Sequence, residues 1–292
     1  MRWFSKKSTK AWMIMPTVLL FAVFVIVPVI MAFYYSITNF TGIGQPKMTG
    51  LSNYRTLFKD PVFYVALKNT CIILGLSTIF IVLCSFGLAL LLNRKAKGIK
   101  LMQSLCFVPN IISPILIGLI WVFILDPKIG LVNAVLRMLG SELQPAWIGG
   151  RVLTPYCVAF IFLWQTVGYN ATIFVAGLRM VPEDLYEAAK IDGAGSWQRL
   201  VYITCPMIKQ TIVIVMLLIV TGSIKIFEIV YQLTGGGPNH LSDTLVTYMY
   251  FSTFTSSKYG YGMSIASVTF LISAVFAVIY LKITKERIGG ED

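Results

Sequence analysis

The side chains best suited to a specific task lie in one charged stretch, residues 181–206, of a chain that is otherwise strongly apolar. Three acidic residues follow Pro182, near a helix N-terminus whose dipole favours negative charge: Glu183, Asp184 and Glu187. Gly193 then supplies the permissive backbone that ends a helix, and Ser196 can cap a second one. The pattern predicts a short helix, a tight break and another short helix.

The first of these helices carries a shallow apolar face that suits contact with another protein. Leu185, Ala188 and Ala189 fall at positions i, i+3 and i+4, which share one side of a helix. Because two of the three are alanines, the backbone of a partner can come close. The predicted chemistry is therefore recognition of a partner; the simpler alternative is a solvated helical hairpin between two membrane spans.

The sequence contains few residues that could support catalysis or metal binding. His240 is the only histidine, and the five cysteines show no Cys-x-x-Cys spacing, so neither a zinc site nor a histidine-based nucleophilic pair is indicated. The sequence also contains no Gly-x-x-x-x-Gly-Lys-Ser/Thr loop that could cradle a nucleotide phosphate. We therefore expect no enzyme activity, no metal and no cofactor in this chain.

The elements that must position the charged stretch are membrane helices. Of the 292 residues, 57% are hydrophobic and only 12% are charged, which lies outside the range of soluble domains. Six apolar segments are long enough to cross the hydrocarbon layer: 12–35, 69–92, 103–125, 155–178, 211–233 and 263–281. The predicted fold is all-α and polytopic, a single transmembrane domain over residues 1–292 with the charged stretch between spans four and five.

Basic residues set the orientation of these spans. Fifteen of the 24 lysines and arginines fall on the side that holds both termini and the charged stretch, and eight fall on the other side. Positive charge collects in cytoplasmic loops, so we expect a multi-pass protein of the cell (inner) membrane with both termini in the cytoplasm. The same distribution accounts for the basic composition without nucleic acid. On the outer side, Ile129, Val132, Leu136 and Leu139 predict an amphipathic surface helix that Gly140 ends.

The charged stretch also resembles a known family. Glu187-Ala188-Ala189, followed by Gly193 and later by Ile203 and Cys205-Pro206, is similar to the cytoplasmic "EAA" loop of binding-protein-dependent ABC importer permeases. In that family the loop is a coupling helix that docks into a groove on an ATPase. The resemblance implies these ATPase contacts: Glu187, Ala188, Ala189, Asp192, Gly193 and Ala194. The chain departs from the family at Cys205, where leucine is usual.

A second signature resembles the carbohydrate-type permeases, in particular their maltose-subunit-like branch. The run Leu-Thr-Gly-Gly-Gly-Pro at 233–238 is typical of that branch, although three glycines and a proline also simply end a helix. The resemblance implies a heterodimer with a second homologous permease subunit, an extracellular solute-binding protein and a sugar substrate. It further implies two cytoplasmic ATPases, which bind the ATP and Mg²⁺.

Polar residues inside the predicted spans are candidates for the substrate pathway, because burying them in lipid is costly. They lie on spans four and five: Trp164, Gln165, Asn170, Lys225, Glu228, Tyr231 and Gln232. Aromatic faces with amide and hydroxyl groups suit a sugar. Two structural alternatives are that Lys225 pairs with Glu228 at i, i+3, and that the amides join neighbouring helices.

The predicted function is that of a permease subunit of an ATP-driven sugar importer, which forms half of the pathway and couples to a separate ATPase. One alternative is a proton-coupled carrier that uses Lys225 and Glu228. Another is an importer of a non-sugar solute such as a polyol phosphate.

Overall fold

The computed structural model describes residues 7–94, 96–150 and 152–288. Their regular secondary structure is helical, apart from one isolated β-bridge between Thr38 and Met48. The helices of the first half are α1 (Lys7–Phe21), α2 (Val27–Ser36), α3 (Ser52–Leu57), α4 (Pro61–Leu92), α5 (Ile99–Ile111), α6 (Pro114–Leu125) and α7 (Leu131–Met138). Those of the second half are α8 (Thr154–Arg179), α9 (Glu183–Ile191), α10 (Ser196–Arg199), α11 (Cys205–Met207), α12 (Lys209–Ile224), α13 (Glu228–Thr234), α14 (Leu245–Tyr250) and α15 (Tyr259–Ile288). Three π-helical segments complete them: Ala22–Ile26, Leu200–Thr204 and Phe251–Thr255. The all-α prediction is confirmed.

Five helical segments in the described residues are long and apolar enough to cross a membrane: Lys10–Ser36, Pro61–Leu92, Thr154–Arg179, Lys209–Thr234 and Tyr259–Lys282. A sixth crossing results if α5 and α6 together form one span. Four basic residues used in the orientation argument, Arg2, Lys6, Lys95 and Arg151, lie outside the described residues.

The third predicted span, 103–125, is not one straight helix. Helices α5 and α6 meet at a bend of 93° around Ile112 and Ser113. Ser113 has an extended backbone with ψ of 132°. Its conformation follows from Pro114, because the ring of a proline disfavours the helical conformation of the residue before it. Pro109, by contrast, lies inside α5.

The fifth predicted span, 211–233, is also interrupted. Helix α12 ends at Ile224 and α13 begins at Glu228, so that Lys225 and Phe227 occupy a non-helical connection. Lys225 is the C-terminal cap residue of α12, with φ −90° and ψ 5°. The helical i, i+3 relation between Lys225 and Glu228 therefore does not hold.

The compact unit formed by residues 64–247 and 273–292 contains two buried apolar clusters. The first joins α4, α8 and α12 through Ile81, Phe174 and Ile219, together with further aliphatic residues. The second joins α6, α8 and α13 through residues such as Ile117, Ile161 and Ile229. Because α8 contributes to both, it is the central helix of this unit. Since lipid tails are as apolar as these side chains, the clusters stabilise the bundle mainly through close van der Waals packing.

Helix α8 approaches α5 at a glycine. A Cβ atom on Gly168 would overlap the carbonyl group of Cys106 and come within 3.0 Å of the backbone nitrogen of Phe107. Only a residue without a side chain allows these two backbones to lie so close, as small residues do in membrane helix pairs.

The compact unit formed by residues 1–63 and 248–272 is held together by hydrogen bonds near the start of α4. The Asp60 carboxylate accepts hydrogen bonds from the hydroxyls of Tyr248 and Tyr261, and from the backbone N–H of Val62 at 2.9 Å. Burial disfavours the charged form of Asp60, but these donors outweigh it and hold the pKa of the carboxyl below its ordinary value of 3.8.

Replacing Asp60 with asparagine removes the charge that the two tyrosine hydroxyls stabilise. We expect the variant to lose about 1–3 kcal/mol of unfolding free energy, measured by thermal unfolding in detergent at neutral pH. Asp126→Asn is the matched control, since Asp126 caps a turn through the backbone N–H groups of Lys128 and Ile129 without a tyrosine partner.

The contribution of Asp60 also has a defined pH dependence. Its pKa is lowered in the folded protein, so the stabilisation is complete above the ordinary pKa of 3.8 and disappears as the pH falls through the lower, folded-state value. The difference in stability between the parent and Asp60→Asn should therefore shrink below about pH 4. A difference that stays constant down to lower pH would contradict this role.

Candidate functional site

The charged stretch forms the predicted pair of short helices, α9 and α10, with Gly193 between them. Gly193 adopts the left-handed conformation with φ +76°, as expected. Its N–H bonds to the carbonyl of Lys190 at 3.2 Å, and the N–H of Ala194 bonds to the carbonyl of Ala189 at 2.8 Å. These two hydrogen bonds form a Schellman motif, which satisfies the last carbonyls of α9 and fixes where the chain turns.

The cap of the second short helix differs from the prediction. Gly195, rather than Ser196, is the N-terminal cap residue of α10, and Ser196 is the first helical residue. The N–H of Gly195 donates to the side-chain oxygen of Gln198 at 2.7 Å, which is half of a capping box. The cap therefore depends on Gln198, three residues after Gly195, and this spacing was present in the sequence.

The base of the charged stretch is anchored while its outer part is exposed. Val181 and Ile208, just before and after the short helices, are buried in the first apolar cluster, against which Tyr186 and Ile203 also pack. The Tyr186 hydroxyl shares a hydrogen bond of 2.9 Å with the hydroxyl of Thr204, which ties α9 to the segment after α10. The stretch is thus attached to the bundle by one side only.

The six residues implied as ATPase contacts lie on the exposed side of this segment. Glu187, Ala188, Asp192 and Gly193 are exposed, and Ala189 and Ala194 are half-buried. The structure adds three exposed apolar side chains that the sequence analysis did not single out: Ile191 (86% exposed), Trp197 (74%) and Tyr202 (77%). Large apolar groups at such exposure, next to charged residues, are typical of a contact surface for another protein. We call the six implied contacts together with these three residues the coupling surface, after the role that the family resemblance predicts for this stretch.

The candidate pathway residues of α8 are placed in different surroundings. Gln165 and Asn170 are buried, at 5% and 3% exposure, whereas Trp164 is partly exposed at 38%. The Asn170 amide donates to the carbonyl of Thr166 at 2.9 Å, but its buried side-chain oxygen has no hydrogen-bond partner in the described residues. An unpartnered buried oxygen is costly in a membrane helix, so Asn170 requires a donor that these residues do not supply.

Trp164 and Gln232 approach the same helix. The indole of Trp164 meets that of Trp121 edge to face, with 5.7 Å between ring centres. One turn earlier on α6, a Cβ on Gly118 would lie 2.7 Å from the Cβ of Gln232. Helix α6 therefore joins the candidate residues of α8 to those of α13. Tyr231, also on α13, stacks on Phe227 with 5.3 Å between ring centres.

Lys225 and Glu228 are both exposed, and the part of the chain that the structure describes shows no ion pair between them. The two residues flank the connection after α12 and do not lie on one continuous helix, so the i, i+3 pairing of the structural alternative is not observed. Their role in a substrate pathway stays a prediction.

Because no ion pair between Lys225 and Glu228 is observed, we expect the effects of replacing them on stability to be additive. Lys225→Met and Glu228→Leu should each leave the level of protein in the membrane unchanged, because neither replacement exposes a buried partner charge. In the double variant, the two changes in unfolding free energy should add to within about 0.5 kcal/mol. Recovery in the double variant of expression that was lost in either single variant would show that they pair.

The glycine-rich run after α13 ends the helix as predicted, with Gly235 at φ +57°. The following turn is held by Asn69 of α4, whose amide donates to the carbonyls of Leu241 and Asp243, each at 2.9 Å. His240 contacts the nearly fully buried Asp243 carboxylate at 2.6 Å. Burial raises the pKa of Asp243 although the hydrogen bond with His240 opposes the shift. The only histidine thus has a structural partner, which the His-x-x-Asp spacing could have indicated.

Comparisons with known proteins place the chain among transport proteins. The family described as "binding-protein-dependent transport system inner membrane component" matches residues 81–288. The probable ABC transporter permease protein YurN of Bacillus subtilis (strain 168) is 35% identical over 91% of this chain and 93% of its own length. The trehalose/maltose transport system permease protein MalF of Thermococcus litoralis is 29% identical over 94% and 93% of the two chains.

A solved structure extends the similarity to the fold. It is described as a bacterial alginate ABC transporter in complex with an alginate pentasaccharide-bound periplasmic protein. One of its chains superposes on this chain with a TM-score of 0.79 and 25% sequence identity, over 99% of both chains. The region matched by the family includes the charged stretch, α8 and the interrupted α12–α13 segment.

Proposed function

This chain belongs to the family of inner-membrane components of binding-protein-dependent transport systems, and from that membership we propose that it is a permease subunit of an ATP-driven sugar importer. The membership confirms the resemblance predicted from the charged stretch. The alternative of a proton-coupled carrier that uses Lys225 and Glu228 is not retained, because the family and its relatives are ABC transporter permeases.

The coupling surface is the observation that carries the proposal. It combines the short helix α9, the Schellman motif that ends this helix at Gly193, and three large apolar side chains that are each more than 70% exposed. Exposed apolar groups of this size are costly in water unless a partner covers them. A cytoplasmic ATPase is the partner that this proposal assigns to them, through Ala188, Ile191 and their neighbours.

Sugars or oligosaccharides are the proposed substrate class. The relative from Thermococcus litoralis is named for the disaccharides trehalose and maltose, and the solved neighbour for alginate, a polysaccharide. In this chain, Trp164, Gln165 and Tyr231 provide the aromatic, amide and hydroxyl groups that recognise sugar rings. We assign these residues, with Asn170, Lys225, Glu228 and Gln232, to the substrate pathway.

The proposed assembly contains a second homologous permease, two ATPases and an extracellular solute-binding protein. The coupling surface on this chain supports a pair of permeases in which each subunit engages one ATPase, and we assign the second position to the homologous subunit. ATP and Mg²⁺ are then bound by the ATPase subunits, and this chain contributes movement of helices rather than chemistry. The distribution of lysines and arginines supports an inner-membrane protein whose coupling surface and termini lie in the cytoplasm.

Purification of the tagged chain from its native membrane tests the proposal. A second permease and an ATPase should co-purify, and sugar uptake after reconstitution should require all of them with ATP and a binding protein. Uptake by proteoliposomes that contain this polypeptide alone would overturn the proposed function.

A further inference from the structure

A cleft of about 590 Å³ lies where the membrane helices meet the base of the charged stretch. Its apolar wall includes Leu90 and Leu178, which lie in the last turns of α4 and α8. Its other wall comes from α10 and the segment that follows, including Trp197 and Arg199. The cleft therefore spans the boundary between the apolar spans and the charged segment.

The polar part of the cleft is basic. Arg94, just after α4, and Arg199 of α10 both line it, together with the hydroxyls of Ser196 and Thr204. Among the described residues that line the cleft there is no aspartate or glutamate. Two guanidinium groups beside the Ser196 hydroxyl, with no acidic partner, are complementary to an anion.

Arg199 in particular has an incompletely satisfied guanidinium group. One terminal nitrogen of its guanidinium donates to the Ser196 hydroxyl at 3.3 Å, a long hydrogen bond. Its Nε–H is buried and has no hydrogen-bond partner in the described residues. A buried charged donor without an acceptor is costly, so the site is incomplete without a group that carries anionic oxygens.

The walls define what kind of anion fits. An occupant must place negative oxygens at Arg94 and Arg199 and apolar chains along Leu90 and Leu178. Trp197, exposed beside them, is a residue type enriched at the membrane–water interface. Basic pockets at the cytoplasmic ends of membrane helices are suited to phospholipid head groups.

We propose that this cleft is a binding site for an anionic phospholipid, whose head-group phosphate accepts hydrogen bonds from Arg199 and Arg94. The inference rests on the proposed function for the side of the membrane and for the role of the segment. A lipid bound there would lie against α10 and brace the base of the coupling surface. The phosphate is the recognised group, and the acyl chains distinguish a lipid from free phosphate.

Lipid binding to the purified full chain tests the site without any ATPase, so its outcome is independent of the proposed function. Native mass spectrometry would measure how many phosphatidylglycerol molecules each protein retains. The proteins compared are the parent, the double variant Arg94→Gln/Arg199→Gln and the control Lys190→Gln, which removes a charge of α9 outside the cleft. We expect affinity for phosphatidylglycerol to fall about tenfold in the double variant and to be unchanged in Lys190→Gln. Arg199→Lys, which keeps the charge but not the planar fork, should fall in between.

Three results would overturn the proposal. The first is unchanged retention in the double variant while its thermal unfolding matches that of the parent. The second is displacement of phosphatidylglycerol by inorganic phosphate or glycerol phosphate at equal concentration, which would show that acyl chains add nothing. The third is a crosslink from position 90, on the apolar wall of the cleft and outside the coupling surface, to the ATPase in the assembled complex, which would mean that a protein occupies the cleft.

Discussion

Replacing Gly193 with aspartate is expected to abolish ATP-driven uptake and substrate-stimulated ATP hydrolysis while the protein level in the membrane stays the same. The backbone cost is about 1 kcal/mol, because an L-residue is strained at φ +76°. No atom lies within 4 Å of the position that a Cβ would take, so the isolated chain can accommodate the side chain. The loss must then come from the partner, since the added group and charge project from the coupling surface.

The chain offers a matched control at Gly140, after α7. Gly140 also has φ +76° with open space around it, and its N–H and that of Ser141 form the same two hydrogen bonds as at Gly193. Gly140→Asp should therefore carry the same strain and charge without loss of hydrolysis. Gly193→Asn adds a side chain of similar size without the charge, so its comparison with Gly193→Asp separates the effect of charge from that of size. Normal stimulated hydrolysis with Gly193→Asp would mean that the charged stretch is a passive connector.

Replacing Gly168 with alanine is expected to impair folding. The new methyl group would overlap the backbone of Cys106 in α5, and backbone cannot rotate away as a side chain can. The two helices must separate, which costs about 1–3 kcal/mol through lost packing around α8. Both the yield of folded protein and the midpoint of thermal unfolding should fall.

Gly75 of α4 is the control for this substitution. It is also a helical glycine, but no atom outside its own helix lies within 4 Å of the position of a Cβ. Gly75→Ala should be neutral or stabilise the protein by up to about 1 kcal/mol, because alanine is the better helix former. Equal stability of Gly168→Ala and Gly75→Ala would contradict the close approach of α5 and α8.

Features that depend on local sequence could be predicted without the structure. The short helix α9 and the left-handed Gly193 follow from acidic residues at one end and a glycine at the other, both within a dozen residues. The helix stop at Gly235 is of the same kind. The residue types of the charged stretch did not by themselves decide its role. The family resemblance supplied that role.

Features that depend on distant contacts could not be predicted in this way. The Asp60 carboxylate is bonded by tyrosines that lie 188 and 201 residues further along the chain. The break between α12 and α13 has no proline or glycine to signal it, as Lys225, Ile226 and Phe227 show. The Ser113–Pro114 bend is different, because the proline was visible but membrane helices often tolerate prolines.

A photo-crosslinking residue at position 191 of the assembled complex measures most directly whether the coupling surface contacts an ATPase. Ile191 is 86% exposed, and Ile129, which is 76% exposed near α7, provides a control on the predicted outer side. On illumination, we expect position 191 to form a crosslink to the ATPase and position 129 to form none. Retention of the ATPase in the complex with no crosslink from position 191 would contradict the assignment of the charged stretch as the coupling element.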